Sequence, residues 1–127
     1  MSDWYEGLEP EPFWRHFAAL TQIPRPSHAE EQAAAYVRAW AAARGFEVRD
    51  DAAGNLAVDV PASAGHDGAR KVTLQGHLDI VCEREPGSPY DPREGELHVV
   101  RDGDWVRAGR RGSRARARRR CRGGPGG

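Results

Sequence analysis

The chain has 127 residues, of which 39% are hydrophobic and 30% charged. That balance fits one soluble domain with a modest core and excludes a membrane-spanning helix, since no run approaches the ~18 apolar residues a crossing needs. The formal net charge of zero hides an asymmetry. All 19 acidic residues lie at or before Asp104; residues 1–108 hold 11 basic ones and sum to −8, and eight arginines between Arg110 and Arg122 restore neutrality.

Phe13, Phe17 and Leu20 recur at spacings of four and three, which predicts a helix over residues 10–22 with Pro10 or Pro12 tolerated near its start. Ile23-Pro24-Arg25-Pro26 stops it, because each proline pushes its predecessor out of the helical region. Ser27 reads as the N-cap of a second helix, with Glu30 completing a capping box and His28 exposed at the first helical position. The alanine-rich segment that follows continues this helix to Arg44, with Val37 and Trp40 on one face and Gly45 closing it.

Strand-like pieces come next, at 46–49, 56–60 and 71–74. Leu56, Val58 and Val60 alternate with period two, and the turn Asp51–Asn55 joins the first two pieces into a hairpin. Residues 61–70 and 86–92 read as loops, and 97–100 with 105–107 frame a second hairpin around Gly103. The tryptophans, Trp4, Trp14, Trp40 and Trp105, read as core or hairpin anchors. The order of helix, helix, three strands and hairpin predicts an α/β fold, the beginning of an α/β sandwich whose remaining layers are absent. Two cysteines in unlike contexts, Cys82 and Cys121, give no sign of a disulfide framework, and Met1–Glu6 lacks the basic-then-apolar pattern of a secretory signal. A cytoplasmic location is the expectation.

The most informative stretch is Gln75-Gly76-His77-Leu78-Asp79-Ile80-Val81-Cys82-Glu83. On an extended chain His77 and Asp79 point to one face. His77 can then offer one ring nitrogen to a metal while Asp79 takes a hydrogen bond from the other, fixing the tautomer and raising the basicity of the ligand. The plainer reading of such a pair is a solvated strand end. Cys82 reads as a packed thiol rather than a nucleophile.

Four segments taken together are more specific than the pair. They are Leu8-Glu9-Pro10 to Ile23-Pro24-Arg25-Pro26-Ser27, the helical region 28–45, Asp51-Ala52-Ala53-Gly54-Asn55-Leu56, and Gln75–Glu83. With the Asp102-Gly103-Asp104-Trp105 turn, they resemble the start of the zinc-dependent exopeptidases of the aminoacylase, carboxypeptidase and dipeptidase kind, and among these the aminoacyl-histidine dipeptidases. The resemblance implies hydrolysis of dipeptides, Xaa-His among them, at a two-metal zinc centre, with His77 as a ligand of one metal and Asp79 as its orienting catalytic-site partner. It covers residues 1–108, about the N-terminal quarter of such an enzyme. The bridging aspartate that follows the Trp105 hairpin in that family, its Glu-Glu pair, a further carboxylate ligand and a late histidine do not occur in this chain. A single histidine ligand falls short of a catalytic zinc site, which takes three protein ligands and an open position. The expectation is therefore an inactive fragment whose unpaired strand edges favour aggregation.

Residues 109–127 form an Arg/Gly-rich tail, expected to be disordered. Between 110 and 127 only Ser113 and Cys121 depart from Arg, Gly, Ala and Pro, the composition of GC-rich DNA translated out of frame. The other reading of the tail is an arm that neutralises nucleic-acid phosphates. The tail has no aromatic residue or lysine and follows an acidic domain, so a nucleic-acid partner is not expected, and a small nucleic-acid-binding protein using this tail is the alternative reading. No membrane partner is expected, since no apolar run is long enough to span a bilayer, and the partner the resemblance implies is a dipeptide substrate.

Overall fold

The computed structural model describes residues 4–84, 86–88, 91–95 and 97–109. Helix α1 (Glu11–Thr21) carries Pro12 in its first turn, where the missing N–H would have had no helical partner. Trp14, Ala18 and Thr21, at spacings of four and three, make its buried stripe. Thr21 is 2% exposed, and its hydroxyl donates to the Ala18 carbonyl at 2.6 Å, so its burial leaves no unpaired polar atom.

Helix α2 (Glu31–Ala42) buries Ala33, Ala34 and Ala41. At its end the Gly45 N–H reaches the Ala42 carbonyl and the Phe46 N–H reaches that of Ala41, both at 3.0 Å. With Gly45 at a φ of 69°, this is the Schellman closure expected of a glycine there. The start of α2 corrects the sequence reading. Ser27 does not cap it; the N-cap is Glu30, and it makes no side-chain capping bond. His28 sits ahead of the helix at a φ of 70°, and its N–H donates to Glu30 Oε1 at 2.8 Å. The hydroxyl of Ser27 is engaged elsewhere.

Strands β1 (Glu47–Asp50) and β2 (Leu56–Asp59) pair antiparallel, with Val48 opposite Val58. Asp51 builds the turn between them: Oδ1 accepts from the N–H groups of Ala53 and Asn55, and Oδ2 accepts from the Asn55 amide at 2.9 Å. Those bonds, the Asn55 side chain's above all, hold the Asp51 carboxyl below its usual range. Strands β3 (Val99–Asp102) and β4 (Trp105–Ala108) form the second hairpin, with Gly103 at a φ of 58° in its two-residue turn.

A strand expected at 71–74 does not form among the described residues. The described sheets are two separate two-stranded ribbons, β1–β2 and β3–β4. Residues 71–77 are exposed throughout, with Val72 at 73% and Leu74 at 93%. An apolar alternation becomes a strand only beside an edge that takes its N–H and C=O groups, and each hairpin here pairs with itself. The fold is mixed α/β, as expected, with its sheet in pieces.

Leu8, Trp14 and Val106 form the core, with Trp4, Tyr5, Phe17 and Val99 packed against it. The N-terminal segment and α1 thus cover the β3–β4 hairpin. Leu97 N–H bonds the Thr21 carbonyl at 2.8 Å, and the Arg101 guanidinium reaches the Glu6 carbonyl at 3.2 Å. Trp4 meets Trp14 and Phe17 edge-on at centroid distances of 6.0 Å, a favoured aromatic geometry. Helix α2 packs on β1, where Trp40 meets Phe46 at 5.6 Å and Arg38 pairs with Asp50 at 2.8 Å. His16 Nδ1 and the Tyr36 hydroxyl, 2.9 Å apart, link the two helices. Trp105, 40% exposed, is the tryptophan that least fits the role of anchor. No helix among the described residues is long and apolar enough to cross a membrane, and residues 110–127, where the two readings of the tail lie, are outside the described residues.

Candidate metal-ligand site

The turn after α1 and the Gln75–Glu83 motif come together through backbone bonding. Arg25 donates from its guanidinium to the Leu20 carbonyl at 2.5 Å, placing a cation at the carbonyl end of α1, where the helix dipole favours it. Burial lowers its pKa, partly offset by nearby Cys82; a guanidinium starts high enough to keep its charge. The carbonyl of Arg25 accepts from the Ile80 N–H at 3.0 Å, and Pro26 forms an isolated parallel bridge with Ile80. This tie sets Ser27 beside Asp79.

Both oxygens of Asp79 are then taken. The Ser27 hydroxyl donates to Oδ2 at 2.5 Å, and His77 Nδ1 lies 2.7 Å from Oδ1. The Ser27 bond first and the His77 bond second hold the Asp79 carboxyl below its ordinary range. An ionised carboxylate only accepts hydrogen bonds, so the shared proton sits on Nδ1, and neutral His77 carries its lone pair on Nε2. No described residue partners Nε2. The imidazole is 79% exposed and the Asp79 side chain 29%. The His77–Asp79 contact expected from their spacing is present, though neither residue lies in a paired strand.

An imidazole with Nδ1 held by a carboxylate and Nε2 open is the usual form of a histidine metal ligand. One such donor is not a metal centre, and the described residues contain no group of three His, Cys, Asp or Glu side chains able to hold an ion. The described residues therefore do not fit a complete metal site.

Cys82 is buried, its Sγ directed at the carbonyls of Pro92 and Ile80 at 3.5 and 3.6 Å. Burial pushes its thiol pKa up, opposite to the shift a nucleophilic cysteine needs. Ser27 is the residue that sequence reasoning missed. Its signal was membership in the Ile23–Ser27 segment, and the capping-box pattern gave it a local explanation that concealed its partner.

Comparison with known proteins places these observations. The cytosol non-specific dipeptidase of Escherichia coli (strain K12) is 40% identical over 101 residues, which span 80% of this chain and 21% of that protein. The crystal structure of aminoacylhistidine dipeptidase from Vibrio alginolyticus matches with a TM-score of 0.78 and 35% identity, over 88% of this chain and 23% of that one. No family model matches the chain. Both dipeptidases are homologues of this chain, which spans about a fifth of their length.

Proposed function

Proceeding from that partial homology to dipeptidases, we propose that residues 1–108 carry one corner of a metal-dependent dipeptidase site and have no peptidase activity by themselves. The parent reaction is hydrolysis of the peptide bond of a dipeptide, Xaa-His among them, in the cytoplasm. Metal bound in a complete site of this kind would activate water and polarise the scissile carbonyl. This chain's share is His77, a ligand through Nε2, and Asp79, which holds the ring in the ligating tautomer. The observation that carries the reading is the 2.7 Å contact of His77 Nδ1 with Asp79 Oδ1, with Nε2 free of protein partners among the described residues.

The reading is tested by zinc titration of the 15N-labelled chain. The expected result is a weak interaction that perturbs His77 Nε2 ahead of the Nε2 atoms of the other four histidines and vanishes in His77→Ala. Perturbation of all five histidines alike would remove the assignment of His77 as the ligand.

A further inference from the structure

We infer that Ser27 is a positioning residue for His77, acting through Asp79. The inference rests on the metal-ligand reading of the pair and adds the residue that keeps it in ligating form.

The imidazole of His77 is 79% exposed, so little packing fixes its orientation. What orients it is the hydrogen bond to Asp79 Oδ1. A carboxylate, however, turns easily about its terminal torsion, which is broad and two-fold, and one bond from an exposed ring does not stop it. Ser27 does. Its hydroxyl holds Oδ2 in a charge-assisted bond, about twice as strong as a neutral one, which leaves Oδ1 facing Nδ1. Ser27 is fixed in turn, because the Arg25 carbonyl takes the Ile80 N–H and Pro26 bridges Ile80. A chain of contacts therefore runs from the turn after α1 through Ser27 and Asp79 to the imidazole. It selects the Nδ1–H tautomer and leaves Nε2 as the open donor.

A merely structural Ser27, pinning the turn to the motif, would leave the tautomer alone, so the tautomer is the readout. The test is 15N NMR of the full, metal-free chain near pH 8.5, about two units above the ordinary histidine pKa. The expected result is a His77 mainly in the Nδ1–H form. Ser27→Ala shifts it to mainly Nε2–H while the β1–β2 and β3–β4 amide resonances stay in place, and Ser27→Thr, which keeps the hydroxyl, restores the Nδ1–H form. An unchanged tautomer in Ser27→Ala overturns the inference. If Ser27→Ala loses its folded spectrum, the near-isosteric variants Ser27→Thr and Ser27→Val decide: Thr retaining and Val losing the Nδ1–H form supports it, and both retaining it overturns it. Asp79→Ala separates this inference from the reading beneath it. If the tautomer does not respond to loss of Asp79, the His77–Asp79 pair itself is wrong; if it responds to Asp79→Ala and not to Ser27→Ala, only the role of Ser27 fails.

Discussion

Ser27 and Asp79, 52 positions apart in sequence, share a hydrogen bond of 2.5 Å. With the Ile80–Arg25 backbone bond, it brings the histidine motif onto the turn that follows α1. The candidate site is thus built from two irregular segments, one of them beside the helix that packs on the core.

The core is small, so its large members matter most. Trp14 is 6% exposed and touches Leu8 and Val106. Truncating a buried tryptophan to alanine costs about 3–5 kcal/mol, a large part of what a domain of this size has to lose. Trp14→Ala is expected to abolish the cooperative urea transition followed by far-UV circular dichroism, whereas Phe13→Ala, at a position 45% exposed, is expected to keep it.

The acid sensitivity of the first hairpin should trace to Asp51. Its carboxyl is held below the usual value by Asn55 and by backbone donors, so the folded pKa lies below the unfolded one. The resulting stabilisation is present above the unfolded pKa and is lost as pH falls through the folded value. In a carboxyl-carbon NMR titration Asn55→Ala is expected to move the Asp51 midpoint up toward the ordinary aspartate range. An unmoved midpoint would show that the backbone donors alone hold it.

Burial and a raised pKa make Cys82 a slow thiol. In a Cys121→Ser background, alkylation by iodoacetamide at pH 7.5 is expected to run at least about tenfold slower than in urea, since the thiolate is the reacting form and the sulfur is covered. Equal rates in the two conditions would mean that the Ile80–Pro92 enclosure does not hold in solution.

Much of the fold was legible because it is local. Phe13, Phe17 and Leu20 marked α1, Gly45 closed α2, and Asp51 with Gly54 and Asn55 announced the first turn, each through contacts within a few residues. Two readings failed where the deciding partner lies elsewhere. Val72-Thr73-Leu74 has the pattern of a strand but finds no edge to join among the described residues, and pattern does not reveal whether an edge exists. Ser27 and Glu30 have the spacing of a capping box, but the Ser27 hydroxyl meets a carboxylate 52 residues away that local spacing does not foresee. At the site, His77 and Asp79 were legible from their separation of two, and their third member was not.

The exposed 71–77 segment should govern solubility. Val72 and Leu74 expose apolar side chains beside backbone groups that no ladder among the described residues occupies, a combination that templates edge-to-edge association. Replacing both by lysine is expected to lower light scattering on concentration and to leave the unfolding free energy from urea titration within about 0.5 kcal/mol of the parent, as for surface substitutions. A large fall in stability would mean that the segment is packed in solution.

We propose that His77 is a metal ligand and that the chain has no working catalytic centre. The most direct test is hydrolysis of an Xaa-His dipeptide by the purified 127-residue chain with zinc or manganese added. No turnover above the rate of the metal alone is expected. Hydrolysis that requires the chain and disappears in His77→Ala would contradict it.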